Sequence, residues 1–361
     1  MKPTQALHEA GQSIWLDNIT RALLDKGILD SYIADYSVTG LTSNPTILDK
    51  AIKSGTDYDA GLAARKAAGA SDEEVLFDLA LADLRRAADK FAPIRARTDG
   101  VDGWVSLEVS PLLAYDTRST IDEATALYRK GARGNLFIKI PGTAESLPAI
   151  EECIYSRVPV NVTLLFSAEQ YQAAAEAYMR GVERRVRAGL NPAVPSVASL
   201  FVSRWDRAVA GQVPEELRNR LGIAVAKRAY RAYRELLDSP RWGRLANEGA
   251  RAQRLLWAST STKDPGAPDV LYVEALAAPF TINTMPDQTL EAFADHGTVG
   301  ELLAADGGDA DEVNAAFARA GLDTRALAAE LQRQGAEAFM ASWQGLLARI
   351  GSRHEELSRA G

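Results

Sequence analysis

The chain has 361 residues, of which 47% are hydrophobic and 25% are charged, and its formal net charge is −7. This balance is typical of a globular protein and excludes an intrinsically disordered chain. The net negative charge argues against a general nucleic-acid or anionic-membrane binder, so we expect neither as a partner.

The N-terminal segment has no long apolar core, so we expect no signal peptide. The longest uncharged stretches, 191–203 and 275–286, fall short of the about 20 residues that cross a bilayer. Cys153 is the only cysteine, and the three histidines lie far apart in the sequence. These features predict a soluble, cytoplasmic protein without a disulfide, a metal or another cofactor.

Eight short runs rich in β-branched or aromatic residues alternate with helical patterns along most of the chain. They cover residues 13–17, 37–42, 104–109, 136–140, 158–164, 194–201, 254–259 and 280–284. Eight strands joined by crossover helices favour an α/β fold with a closed parallel barrel, the (β/α)8 or TIM barrel, over an open doubly wound sheet. No G-x-G-x-x-G motif follows any of these strands, which weakens the dinucleotide-binding alternative.

Helical patterns fill the gaps between these strands. Ser71 and Glu74 form a capping-box pattern ahead of a helix, and residues 168–187 and 214–237 are amphipathic. The long connections after the second and sixth strands leave room for extra helices. Because residues 287–361 are helical in pattern throughout, we predict a catalytic barrel over 1–290 and a C-terminal helical extension of the same domain over 291–361.

Polar side chains recur near the C-terminal ends of the predicted strands, where barrel enzymes place their sites. Since side chains alternate between the two faces of a strand, residues two apart share the inward face. The polar members of this inward set are Asp17, Glu108, Lys139, Asn161, Thr163 and Ser199. The same placement on five strands is hard to explain by packing alone.

Each of these residues, taken alone, also has a structural explanation. Asp17 could cap the helix that residues 18–20 open, and Glu108 could be a solvated strand end. Asn161 and Thr163 could satisfy backbone groups.

Lys139 is the sharpest candidate because it lies in an apolar strand, between Phe137-Ile138 and Ile140-Pro141. The chain has ten lysines and thirty-one arginines, so arginine is its usual cation. Desolvation favours a free amine, which can act as a nucleophile and form a Schiff base, whereas a guanidinium cannot. The structural alternative is a snorkelling or carboxylate-paired lysine.

Three motifs resemble the transaldolase family. Residues 38–46 (Val-Thr-Gly-Leu-Thr-Ser-Asn-Pro-Thr) resemble its strand-two signature, and residues 135–141 (Asn-Leu-Phe-Ile-Lys-Ile-Pro) resemble its active-site lysine motif. Residues 160–167 (Val-Asn-Val-Thr-Leu-Leu-Phe-Ser) are similar to its fifth-strand motif. The likeness runs in the expected order from Asp17 to about Thr289, and its last part looks like the longer form of the family.

The resemblance implies a role for each candidate residue. Lys139 would form a Schiff base with the C2 carbonyl of a ketose phosphate, and Asp17 would be the general base and acid at the C4 hydroxyl. Glu108 and Thr163 would position the water that shuttles protons. The substrate-binding residues would be Asn44, Asn161 and Ser199 at the dihydroxyacetone unit, Arg204 at the sugar phosphate, and Phe201 in the same site.

The implied reaction is a transfer of dihydroxyacetone in the non-oxidative pentose phosphate pathway. The donor would be sedoheptulose 7-phosphate or fructose 6-phosphate, and the acceptor would be erythrose 4-phosphate or glyceraldehyde 3-phosphate. These sugar phosphates are the expected partners. A homodimer is one option, since the sequence does not give the oligomeric state.

The chain departs from the family pattern at the phosphate site. Better-known members carry a second arginine after strand seven, where this chain has Ser261, and the nearest cation is Lys263. Two other functions stay open at this point, a fructose 6-phosphate aldolase and a non-catalytic sugar-phosphate-binding barrel. The aldolase branch is expected to have shorter chains and a tyrosine in place of Phe201, so both features favour the transferase.

Overall fold

The computed structural model describes residues 1–360, and its centre is a parallel sheet closed into a barrel. The strands are β1 (Ser13–Asp17), β2 (Val38–Thr42), β3 (Trp104–Glu108), β4 (Leu136–Pro141), β5 (Val160–Leu165), β6 (Ser196–Phe201), β7 (Gln253–Ala258) and β8 (Thr281–Met285). Each strand pairs with the next one in the chain, and β8 closes the barrel by pairing with β1. The predicted (β/α)8 barrel is confirmed, and every predicted strand boundary lies within two residues of the observed one.

Two prolines explain the largest of these boundary differences. The predictions start β5 and β6 two residues too early. Pro159 and Pro195 stand directly before the observed strands, and proline has no N–H to donate to a strand ladder. Regular pairing therefore begins one residue after each proline.

Helices fill the connections, and the two long connections after β2 and β6 hold several each, as predicted. In chain order the helices are α1 (Pro3–Glu9), α2 (Arg21–Asp25), α3 (Ile28–Asp35), α4 (Pro45–Ser54), α5 (Asp59–Ala67), α6 (Asp72–Arg97), α7 (Thr117–Gly131), α8 (Leu147–Tyr155), α9 (Ala168–Arg187), α10 (Ser203–Val209), α11 (Leu221–Leu237), α12 (Pro240–Asn247), α13 (Leu271–Ala275), α14 (Asp287–His296), α15 (Ala310–Arg319) and α16 (Thr324–Ala360). Short 3₁₀ turns span Pro111–Leu113 and Glu215–Leu217. Across residues 1–360, no helix has the length and apolar character that crossing a membrane requires.

Aromatic side chains fill the barrel interior. Trp104 stacks on Phe137 with ring centroids 4.3 Å apart, and the centroid of Trp15 lies 6.1 Å from that of Phe137. These rings need the space beside Gly40, where an added Cβ would lie 2.7 Å from the Trp15 ring. Polar residues follow further along the same inward faces, toward the C-terminal mouth of the barrel.

Two of the three predicted helix features are confirmed. The capping box is present, with Ser71 Oγ accepting from the Glu74 N–H at 3.2 Å and the Glu74 carboxylate accepting from the Ser71 N–H at 2.8 Å. Helix α9 covers the predicted range 168–187. The prediction over 214–237 is wrong at its start, because Asn219 adopts a left-handed conformation (φ 58°) and α11 begins only at Leu221.

The C-terminal region is helical, but not throughout. Residues 297–309 form no helix, which corrects the expectation of an unbroken helical pattern over 287–361. Glycines at 297, 300, 307 and 308 lower the helix propensity of this stretch. Position 361 lies outside the described residues, and the division into 1–290 and 291–361 stays a prediction.

Helix α16 crosses the C-terminal mouth of the barrel. The amide of its Gln332 donates to the carbonyl oxygens of Gly142 and Leu164, both at 3.0 Å, where β4 and β5 end. Further along, Trp343 packs on Phe77 of α6 with ring centroids 5.3 Å apart. The C-terminal extension therefore covers the mouth and not the far end of the barrel.

Candidate active site

Three polar side chains stand in one row across neighbouring strands. Glu108 of β3 is in register with Lys139 of β4, and Lys139 is in register with Asn161 of β5. The Lys139 amine lies 2.6 Å from Glu108 Oε1, and each of these two side chains is 7% exposed. Because desolvating an ion pair offsets most of its attraction, such a pair contributes little net stability. Stability does not explain why these charged side chains are buried together, so the row is a candidate reactive centre.

The surroundings of the Lys139 amine are polar but incompletely paired. The amine donates to the Ser43 carbonyl oxygen at 3.2 Å. Burial raises the pKa of Glu108, while the Lys139 ammonium opposes this rise and the Asp17 carboxylate adds to it. Among the described residues, neither Glu108 oxygen nor Thr163 Oγ1 has a well-aligned hydrogen-bond partner. These oxygens are suited to bind a water molecule or a substrate hydroxyl beside the amine.

Asp17 ends β1 and is held from β2. Thr42 Oγ1 donates to Asp17 Oδ1 at 3.0 Å, and Asn44 Nδ2 donates to the same oxygen at 3.4 Å. Asn44 also caps α4, because its Oδ1 accepts from the Ile47 N–H at 3.2 Å. The cap of α2 is Thr20, so the helix-cap explanation of Asp17 does not apply. The half-buried carboxylate stays available to a substrate.

Asn161 and Ser199 belong to a buried chain of hydrogen bonds. Ser199 Oγ donates to Asn161 Oδ1 at 2.7 Å, and Asn161 Nδ2 donates to Ser106 Oγ at 3.2 Å. This chain fixes the orientation of the Asn161 amide next to Lys139. None of the three motifs includes Ser106. The signal that could have identified it is its position on the inward face of β3, two residues before Glu108.

Arg204 follows β6 and is the candidate ligand for an anionic group. Its guanidinium lies 4.8 Å from the centre of the Phe201 ring and 5.8 Å from that of the Phe339 ring on α16. Burial, with a further contribution from Arg207, lowers the pKa of Arg204, but a guanidinium stays charged at neutral pH. It forms no ion pair or hydrogen bond within residues 1–360. A half-buried charge without a protein partner is well suited to a phosphate.

Lys263, the second candidate for the phosphate, lies in a different environment. Its side chain is exposed in the loop after β7, and its amine donates to Ser261 Oγ at 2.6 Å. A solvated ammonium on a flexible stem is a weaker phosphate ligand than a half-buried guanidinium. Arg207, which the motifs do not single out, is the cation that the structure places near Arg204.

Helix α16 adds residues that the motifs do not predict. An added Cβ at Gly335 would lie 3.1 Å from Arg204 Nη1 and 3.0 Å from Leu164 Cδ2, so the helix backbone passes directly beside the guanidinium. Gln332 and Phe339 lie one turn away on either side of Gly335. The apolar pattern of the helix includes Phe339, but no signal in the sequence connects it with Arg204.

A second, half-buried carboxyl group supports the strand end that carries Glu108. Glu123 of α7 accepts a hydrogen bond from the Ser110 N–H at 2.5 Å, and burial raises the pKa of Glu123 from 4.5 to about 7. A raised pKa favours the protonated, folded form. We therefore expect this group to contribute stability at low pH that is lost as the pH rises from 4.5 to about 7.

Glu123→Gln should remove this pH dependence, because glutamine keeps the oxygen that accepts from Ser110 but does not titrate. The free energy of unfolding of the variant should exceed that of the parent by up to about 3 kcal/mol above neutral pH, with a smaller difference in acid. Urea denaturation of both proteins at acidic and alkaline pH measures it. Parallel pH profiles for the two proteins would contradict the expectation.

Comparison with known proteins fits this geometry. The model of the family Transaldolase/Fructose-6-phosphate aldolase matches residues 14–350. The chain belongs to this family. It is similar to a transaldolase of Arthrobacter sp. (strain FB24), with 45% identity covering 96% of this chain and 95% of that protein. It is equally similar to transaldolases of Acidothermus cellulolyticus (45% identity, 96% of each chain) and Thiobacillus denitrificans (45% identity, 97% of this chain and 100% of that one).

Membership of the transaldolase/fructose-6-phosphate aldolase family confirms the resemblance that the three motifs carry. The family match reaches residue 350, so it includes most of α16. The helix over the barrel mouth is therefore part of the family region and not an unrelated addition.

Proposed function

We propose that the chain is a transaldolase in which Lys139 carries the substrate as a Schiff base. The observation that carries this proposal is the buried Lys139 amine, in register between Glu108 and Asn161. Relatives that match over nearly their whole length are transaldolases, which supports the same reaction. The donor is fructose 6-phosphate or sedoheptulose 7-phosphate, and the acceptor is erythrose 4-phosphate or glyceraldehyde 3-phosphate.

Imine formation begins when the Lys139 ammonium loses a proton. Glu108 Oε1 is 2.6 Å away, and because burial raises the pKa of this carboxyl group, it accepts a proton more readily than an exposed carboxylate. The free amine attacks the C2 carbonyl carbon of the ketose phosphate. The carbinolamine then loses its hydroxyl group as water, and Glu108 and Thr163 hold the water that carries protons between these steps.

Cleavage of the C3–C4 bond needs a base at the C4 hydroxyl. Asp17, oriented by Thr42 at 3.0 Å, accepts that proton, and C4 becomes the aldehyde carbon of the departing aldose phosphate. The bonding electrons move into the iminium on Lys139 and leave an enamine. Its C3 attacks the acceptor aldehyde, whose oxygen takes the proton back from Asp17, and hydrolysis of the new imine releases the product ketose.

The dihydroxyacetone unit and the phosphate bind to different residues. Asn44, Asn161 and Ser199 hydrogen-bond the hydroxyl groups of the three-carbon unit, and the 2.7 Å bond between Asn161 and Ser199 supports a fixed geometry there. Arg204 binds the phosphate as a charge-assisted, forked donor. Lys263 contributes less because it is solvated.

A coupled assay with fructose 6-phosphate, with and without erythrose 4-phosphate, tests this proposal. We expect turnover to depend on the acceptor. The family also includes fructose-6-phosphate aldolase, and turnover that persists undiminished without the acceptor would identify that activity instead. Substrate binding without any turnover would identify a non-catalytic barrel. The cytoplasmic location and the homodimer stay predictions, which cell fractionation and sedimentation equilibrium would test.

Gly335→Ala is expected to weaken binding of phosphorylated sugars by about 1 kcal/mol, seen as a severalfold higher KM. The added methyl group would crowd Arg204 Nη1 at 3.1 Å and Leu164 at 3.0 Å. Gly345→Ala is the matched control on the same helix, where an added Cβ meets nothing within 4 Å. It should raise Tm through higher helix propensity and leave KM unchanged. Equal changes in KM for both variants would contradict the assignment.

A further inference from the structure

A cavity lies at the end of the barrel opposite to Lys139. Its volume is about 1180 Å³, and it lies at the N-terminal ends of the strands, where Ser13 and Ser196 line it. We call this cavity the N-terminal basin and define it by its five arginines, Arg95, Arg129, Arg157, Arg251 and Arg254. None of the proposed catalytic residues lines it. A chain of net charge −7 thus concentrates cations at a place that the proposed reaction does not use.

Within residues 1–360, carboxylates neutralise two of the five arginines. Arg254 pairs with Asp102 at 3.1 Å, and Arg251 pairs with Asp99 at 2.6 Å. Within the described part of the chain, three guanidinium groups of the basin form no ion pair and no hydrogen bond, namely those of Arg95, Arg129 and Arg157. The basin therefore has a surplus of positive charge.

Two of the unpaired arginines, Arg95 and Arg157, line the basin together with Tyr128. Burial raises the pKa of Tyr128, and Arg157 and Arg95 both oppose this rise, so both cations lie near the Tyr128 hydroxyl. The Arg95 guanidinium lies 5.2 Å from the centre of the Trp104 ring, and its Nε is buried without a hydrogen-bond partner. An unpartnered buried donor beside a second cation costs stability unless an anion joins them.

Arg157 also adopts a backbone conformation that costs stability. It has a φ of 65° in the turn between α8 and β5, in the left-handed region that favours glycine. This conformation ends α8, where the Arg157 N–H donates to the Ile154 carbonyl oxygen at 3.1 Å and the Val158 N–H donates to the Cys153 carbonyl oxygen at 2.8 Å. The Arg157 side chain is exposed and forms no ion pair or hydrogen bond within residues 1–360. Burial lowers the pKa of Arg185, and repulsion from Arg157 lowers it further. Arg157 is therefore close enough to a second cation to feel its charge.

We propose that the N-terminal basin binds a small anion that carries two or more phosphate groups. Arg95 and Arg157, together with the Tyr128 hydroxyl of the same cavity, bind one phosphate group through charge-assisted hydrogen bonds. Arg129 provides the cation for a second group. The volume of about 1180 Å³ is larger than a single phosphate needs and lies just above the usual range of small-ligand sites, so it has room for an anion with several phosphate groups. This site is distinct from Arg204 and does not depend on the proposed reaction.

Titration of inorganic pyrophosphate into the full chain carrying Arg204→Ala tests the proposal, because that background removes the proposed active-site phosphate ligand. Calorimetry at low ionic strength should detect binding, which should weaken as salt is added. Arg157→Gly in this background should weaken binding by about tenfold or more. Its Tm should stay the same or rise, because glycine relieves the strain at φ 65°.

Two control variants isolate the charge. Asp99→Gly also replaces a residue of positive φ (50°) at the basin, but it removes a carboxylate and releases Arg251, so affinity should stay the same or increase. Arg97→Ala removes an exposed cation at the end of α6 that does not line the basin, and affinity should not change. Inorganic phosphate should bind more weakly than pyrophosphate.

Three outcomes would overturn the proposal. The first is no binding of pyrophosphate by the Arg204→Ala protein, and the second is equal affinity for phosphate and pyrophosphate. The third concerns Arg157→Gly. Binding as tight as that of the parent would mean that Arg157 does not hold the ligand, and a lower Tm would mean that the arginine serves the fold.

Discussion

Lys139→Arg is expected to lower turnover by about 10⁴-fold or more, because a guanidinium cannot form the imine. The variant keeps a positive charge beside Glu108, which would otherwise be a buried carboxylate without its partner at 2.6 Å. The larger head group in a side-chain site that is 7% exposed should cost about 1–3 kcal/mol of stability. Activity is therefore measured on protein whose thermal melt shows that it is folded.

Lys263→Arg is the matched control for this experiment. It makes the same chemical change at an exposed lysine that has no role in the imine, so kcat should be unchanged. A folded Lys139→Arg variant with kcat within about tenfold of the parent would contradict the role of Lys139, since a loss of about 1.4 kcal/mol is too small for a missing nucleophile.

Arg204→Ala should weaken the binding of phosphorylated sugars by about 2–4 kcal/mol. This loss corresponds to a rise in KM of about 30- to 1000-fold. The magnitude follows from a charge-assisted contact made by a guanidinium that is half-buried between Phe201 and Phe339 and forms no ion pair or hydrogen bond within residues 1–360. In the proposed binding mode, the three-carbon end of the substrate binds to Asn44, Asn161 and Ser199 and not to this residue. Free dihydroxyacetone should therefore still be trapped on Lys139.

Lys263→Ala is the comparison for the phosphate site. Since its amine is exposed and already donates to Ser261 Oγ at 2.6 Å, the loss should be below about 1 kcal/mol. Steady-state kinetics with phosphorylated and unphosphorylated substrates measure both variants. Equal losses for the two kinds of substrate in Arg204→Ala would mean that this arginine supports the fold and not the phosphate.

The barrel could be predicted from the sequence because its signals are local and repeated. In β4, for example, Lys139 is the only charged residue in an apolar run, and in β3 the same is true of Glu108. Alternation assigns these residues to the inward face, and parallel strands bring their C-terminal ends to one mouth. The alternation pattern therefore predicts that Lys139 and Glu108 lie at the same mouth of the barrel. The distance between them depends on strand register, which the sequence does not specify.

The position of α16 could not be predicted, because it depends on contacts between residues far apart in the chain. Helical periodicity defines an apolar face but not the surface that it packs against. The contact of Phe339 with Arg204 and the bonds of Gln332 to the ends of β4 and β5 are of this kind. The N-terminal basin is another case, since Arg95 and Arg157 come from separate connections and line one cavity only in the folded chain.

Borohydride reduction in the presence of fructose 6-phosphate, followed by peptide mass spectrometry, tests the central claim most directly. Reduction converts a Schiff base into a stable secondary amine, so the modified lysine can be identified among the ten in the chain. We expect a single substrate-dependent adduct on Lys139, and none in Lys139→Arg. An adduct on Lys227 or Lys263 with Lys139 unmodified would contradict the account.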